Sequence, residues 1–120
     1  KEKPVVFYLR DGFEQPQPLR PDLVVELTPA SVDRQVAGLA CHVSQFFEWL
    51  PFDLGIEDEV PPRDDPAAVR EFIVRHWIEP RAAYDAGRYG LACSHAEVFG
   101  LSEYGREPTS VELAFLRSNG

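Results

Sequence analysis

The chain has 120 residues, of which 44% are apolar and 27% charged, and it carries a net charge of −8. That composition describes a globular domain with a modest core rather than a disordered segment. The acidic balance and the lack of a basic run remove the attraction on which binding to nucleic acid or an anionic membrane depends. No apolar stretch approaches the ~18 residues of a membrane span, so the chain reads as soluble and cytoplasmic, with no nucleic-acid or membrane partner.

From the N-terminus, Val5 to Leu9 is a continuous apolar run between Pro4 and the turn Arg10-Asp11-Gly12. It reads as a strand buried on both faces. Gly12 to Pro21 contains Pro16, Pro18 and Pro21, which keep it extended as an ordered surface excursion and a candidate lip of a cleft. A second strand, Leu23 to Leu27, follows Pro21-Asp22. Strands apolar on both sides belong inside a sheet flanked by helices, and two strands alone are marginal in water. The chain also lacks methionine. These features predict an α/β fold seen in part, the C-terminal portion of a larger domain, with two strands and two or three helices in these residues.

Ser31 to Leu50 is the stretch richest in pattern. Thr28 or Ser31 is available as N-cap, with Pro29 suited to the first helical position behind Thr28, and the helix is expected to stop before Pro51. At about 100° per residue, Val32, Val36, Leu39, Val43, Phe46 and Leu50 form a core-facing stripe. Gly38, His42, Gln45 and Trp49 lie on its shoulder, and Asp33, Ala37, Cys41, Ser44 and Glu48 form a small, polar back. A lone histidine in such a place is more often structural than catalytic.

Pro51 to Asp65 is rich in proline and acid. Its Asp53, Glu57, Asp58, Glu59, Asp64 and Asp65 lack the alternating ligands and central glycine of a calcium loop, and the stretch reads as a solvated acidic loop. A second helix starts at Asp65-Pro66, cap and first-turn proline. Val69, Phe72, Ile73, His76, Trp77, Pro80, Ala83, Tyr84 and Gly87 mark its apolar face, with Arg70, Glu71, Arg75, Glu79 and Arg81 opposite. Pro80 predicts a kink or break near His76 to Glu79, then a restart to about Ala86 with Gly87 as the stop. His76 reads as a core residue with one hydrogen bond. Beyond Gly90, Ser94 to Phe99 is an edge strand or a single turn, and Ser110 caps a short helix that buries Val111, Leu113, Ala114 and Leu116.

Chemistry with a recognisable spacing is mostly missing. There is no glycine-rich phosphate loop, no G-x-S-x-G and no H-E-x-x-H, and His42, His76 and His95 are isolated from one another. Cys41 and Cys93 form no C-x-x-C. With His42 and His95 they sketch a metal site, but adjacent helical residues diverge by about 100°, and two free, largely buried thiols are the plainer reading. The cluster Phe46-Phe47-Trp49 beside the acidic loop is either core or a subunit contact of a homo-oligomer.

The order PDLVVELT, ACHVSQ, FEWLP and AAYDAGRYGLACSHAEVFGLSEYG resembles the C-terminal half of the LmbE-like or PIG-L family of zinc-dependent N-deacetylases. His42, Ser44 and Gln45 match that family's A-x-H-x-S-Q signature; Gly87, Ala96, Glu97 and Phe99 match its later G-x-x-x-G-x-x-Y/H-A-E-x-F segment. The resemblance spans about Val5 to about Pro108. It implies a Rossmann-like three-layer fold and hydrolysis of an N-acetyl amide on an amino sugar or related small molecule, with zinc polarising the carbonyl and activating water. The family's A-H-P-D-D-E motif and its further histidine ligand are absent from this sequence. The resemblance therefore implies that zinc belongs to the complete protein and is not bound by this chain alone, and that the upstream half of the same protein is a partner. His42, Ser44, Gln45 and Glu97 are then candidates to line the cleft or brace it. The alternative is a stand-alone, non-catalytic binding or assembly module of similar descent.

Overall fold

The strand that organises the sheet is the one the sequence leaves ambiguous. In the computed structural model, which describes residues 3–10, 17 and 19–118, β1 (Phe7–Leu9) and β2 (Leu23–Glu26) both pair antiparallel with β3 (Ala96–Leu101), giving the order β1-β3-β2. Leu9 and Leu23 both face Phe99, while Val24 faces Val98. The sheet thus has three strands among the described residues rather than two, and AEVFGL is its centre rather than an edge. Alternation decides this: Ala96, Val98 and Gly100 are buried, with Glu97, Phe99 and Leu101 half-buried between them. Gly100 is required by a close approach, since a Cβ there would lie 2.7 Å from Leu19 Cδ1 and 3.2 Å from Arg20 O. β1 lies at an edge, with Tyr8 and Leu9 exposed, so the expected burial on both faces does not hold. Most of the predicted excursion, residues 12–16 and 18, falls outside the described residues.

Helix starts follow the local chemistry. Thr28 caps α1 (Pro29–Ala40), its hydroxyl accepting from Ser31 N–H at 3.2 Å, with Pro29 in the first turn. Asp65 Oδ1 accepts from Ala67 and Ala68 N–H at 3.1 and 3.0 Å at the start of α3 (Pro66–Ile73). Each side chain satisfies backbone donors that a helix leaves unpaired.

The helices do not continue as the periodicity predicts. α1 ends at Ala40, where Cys41 and His42 N–H turn back to Gly38 and Leu39 carbonyls, bonds that tighten a terminal turn. Helical backbone resumes at 43. Gln45–Trp49 and Val74–Ile78 are both π-helical turns, the first leading into α2 (Leu50–Leu54) and the second into α4 (Glu79–Arg88). Leu50 N–H reaches Gln45 O, Glu79 N–H reaches Val74 O, and in each case the next residue is a proline. A proline cannot donate and clashes with the carbonyl four residues back; widening the preceding turn relieves the clash. Hence Pro51 lies inside a helix that was expected to end before it, and the break expected before Pro80 takes the form of an inserted residue.

That insertion rotates the buried faces. Burial steps by five from Ile73 to Ile78 and continues with Ala82, Asp85 and Ala86, leaving the expected Pro80, Ala83, Tyr84 and Gly87 exposed. In the earlier segment Phe47 and Pro51 are buried, while Val43 is 42% exposed. α4 runs past Gly87 to Arg88, with Tyr89 as its cap and Gly90 next at φ 61°; an L side chain rarely adopts that conformation.

α4 packs on β3, α1 on α3, and α5 (Ser110–Ser118) on β2. The main core joins Leu27, Val32, Phe47, Phe72, Ile73 and Ile78. Thr109, not Ser110, caps α5: Glu112 N–H donates to Thr109 Oγ1 at 3.2 Å and Thr109 N–H to Glu112 Oε2 at 2.9 Å, a reciprocal capping box. No residue of α5 is buried, and Val111 is 75% exposed, against the expectation of a buried side. Among the described residues no helix is long and apolar enough to cross a membrane.

Candidate functional site

A cleft of about 830 Å³ opens where α1, the two π turns and β3 meet. One wall comes from α1 and the turn after it, which present Gln35, Gly38, His42 and Gln45 at successive steps of three, four and three. Phe46 and Trp77 close the apolar end, their rings edge-on at 5.5 Å. β3 supplies Ala96, Glu97 and Val98 opposite.

Glu97 is oriented by α1: Gln35 Nε2 donates to its Oε1 at 2.6 Å. A hydrogen bond to a carboxylate is short and strong, and it fixes both planar groups while leaving Gln35 Oε1 and Glu97 Oε2 as acceptors. The end of β1 is tied to α4 by an ion pair in which Arg10 Nε lies 2.8 Å from Asp85 Oδ1 and donates to Oδ2 at 2.9 Å. Only 5% of the Asp85 side chain and 15% of that of Arg10 is exposed. A carboxylate so buried stands only because the cation is there.

The histidines differ. His42 is exposed and edge-on to Phe46 at 6.3 Å, and among the described residues its ring nitrogens have no hydrogen-bond partner. His76 is half-buried against Phe72, its Nε2 lying 3.2 Å from Glu59 Oε2 beside the Arg75 guanidinium, which also bonds Glu59. It lines the cleft as well. His95 lies outside it, with Nδ1 2.9 Å from Ser94 Oγ. Trp77 Nε1 is buried with no acceptor among the described residues.

Of the candidates read from sequence, His42, Gln45 and Glu97 come together in this cleft. Ser44 does not: it is exposed and absent from the lining. Cys41 is exposed rather than buried, its Sγ donating to Ala37 O at 3.3 Å, and Cys93 is half-buried. Among the described residues no three His, Cys, Asp or Glu side chains gather as a metal site.

No protein-family model, curated protein or solved structure matches the chain.

Sequence reasoning missed Gln35, Arg10 and Asp85. Gln35 carried a signal, since the stripe Gly38, His42, Gln45 extends back to it by one step of three. Asp85 carried none, because the inserted residue of the second π turn is what carries it onto the buried side.

Proposed function

We propose that this chain forms the substrate-facing wall of a cytoplasmic N-deacetylase of the LmbE-like or PIG-L type, as the C-terminal portion of a Rossmann-like three-layer fold. The observation that carries the reading is convergence. His42 and Gln45 from one resembling segment and Glu97 from the other, far apart in sequence, line a single cleft. The described residues do not fit a zinc site, because His42, His76 and His95 each face a different environment. The part assigned to this chain is therefore binding and orientation, with metal and base supplied by an upstream half of the same protein.

An N-acetylated amino sugar suits the lining. Its hydroxyls are met by the planar groups of Gln35 on α1 and Glu97 on β3, which hold each other in position, and by Gln45 at the start of the first π turn, and its acetyl methyl or ring C–H face by Phe46 and Trp77. His42, whose ring nitrogens have no partner among the described residues, offers a hydrogen bond to the amide.

The test is His42→Ala, Gln45→Ala and Glu97→Gln in the full-length protein, measuring acetate release from N-acetylglucosamine-type substrates. Losing one hydrogen bond to substrate is expected to lower kcat/KM by roughly 10- to 100-fold, with the melting temperature unchanged for the exposed His42. Unchanged turnover in all three variants would sink the reading. Sugar binding without acetate release would leave the binding module standing instead.

A further inference from the structure

We propose that the outer face formed by α2 and the end of the π turn leading into it is a docking site for a basic, apolar-faced helical segment of a partner protein. Trp49, Phe52 and Leu54 are 59%, 72% and 57% exposed. Trp49 and Phe52 are three apart on a helix and so adjacent on its surface, while Phe47 and Pro51 anchor the opposite side in the core. The patch is thus held on a rigid support. It lies outside the cleft lining, and among the described residues the main apolar core does not include it.

The surrounding charge selects the occupant. Glu48 stands four residues before Phe52 and Asp53 four after Trp49, so two carboxylates bracket the aromatic pair. Glu57 and Asp58 follow just past the turn at Gly55. Among the described residues none of these four carboxylates has an ion-pair or hydrogen-bond partner. The nearby cations are engaged elsewhere: Arg63 stacks over Phe47 at 4.1 Å and bonds Ala40 O, and Arg75 holds Glu59. An aromatic centre with an acidic rim is complementary to a basic amphipathic helix, which lays its apolar face on Trp49 and Phe52 and its lysines or arginines against the rim. A second copy of this chain would set acidic rim against acidic rim, and an anionic lipid surface would be repelled.

The experiment uses the full-length protein and a fluorescently labelled amphipathic helix of leucine and lysine, with the same helix carrying glutamate for lysine as control. Anisotropy at physiological salt is expected to show saturable binding of the lysine helix only. Trp49→Ala/Phe52→Ala is expected to weaken it by about tenfold or more, and Glu48→Gln/Asp53→Asn severalfold with a shallower salt dependence. Both pairs are exposed, and unchanged circular-dichroism melts would confirm folding. The proposal is overturned by equal binding of the glutamate helix, by affinity unchanged in Trp49→Ala/Phe52→Ala, or by no saturable binding. It is overturned too if sedimentation shows self-association that Trp49→Ala abolishes, or if vesicles rich in anionic lipid bind through the same residues.

Discussion

The paired broken helices and the terminal helix are held by different forces. Between residues 43 and 88 the chain is locked by interleaved rings: Phe47 on Phe72 at 5.8 Å, Phe46 on Trp77 at 5.5 Å and Phe72 on His76 at 4.9 Å. α5 buries no residue and is held at its start by Thr109, Glu112 and Arg106. The first arrangement does not tolerate a change of volume. The second rests on a charged capping box and depends on pH instead.

The largest test of that contrast is Phe72→Ala, which empties the centre of the ring stack and is expected to lower the stability of the whole domain by about 3–5 kcal/mol in urea unfolding. A loss under about 1 kcal/mol would mean the stack is not what holds the broken helices. Asp85→Ala comes next. It removes the buried carboxylate that Arg10 Nε meets at 2.8 Å, and about 3 kcal/mol of stability is expected to go with it. The same midpoint as the parent protein would remove the ion pair from the account of how β1 is fastened to α4.

At the other end, Thr109→Ala is expected to loosen α5 by about 1 kcal/mol, seen as faster amide exchange in that helix while the global midpoint stays put. A drop in the midpoint would join α5 to the cooperative core. The smallest effect is one of pH. Glu112 is held down to about 2 by its hydrogen bonds to Arg106 and then to the Thr109 amide and hydroxyl. Its folded value lies below its unfolded one, so its stabilisation is complete above the ordinary carboxylate range and fades as pH falls toward about 2. Amide protection at the start of α5, taken relative to the intrinsic exchange rate at each pH, should fall over that window. Uniform protection from neutral pH down to about 2 would count against the capping box.

How much of this was legible follows the range of the interactions. Thr28-Pro29 and Asp65-Pro66 announced two helix starts because a cap bonds donors two or three residues away. The shift from Ser110 to Thr109 at α5 is one residue, within the span of a T-x-x-E box that the sequence also carries. The π turns were half legible. Pro80 marked where the helix changes, but neither proline says that an extra residue enters, and that residue decides whether Tyr84 or Asp85 faces inward. β3 was the least legible, since AEVFGL shows itself as central only once β1 and β2, from the other end of the chain, lie along both its edges. The cleft was legible at His42, Gln45 and Glu97 through the resembling segments. Arg10 and Asp85 are paired across 75 residues by tertiary structure alone.

The position of β3 also sets an order of events. Both other strands precede it by most of the chain, and the contact from Tyr8 O–H to Glu103 spans 95 positions. Among the described residues β1 and β2 pair with β3 alone, so within this segment a chain growing on the ribosome exposes both before that partner emerges. The helices, built from near-neighbour contacts, can form in the meantime and these strand pairings cannot, so folding is expected to include a slow closing step that brings β3 between β1 and β2. Before that step the unpaired edges of β1 and β2 are the place where the nascent protein is most prone to associate with its own copies.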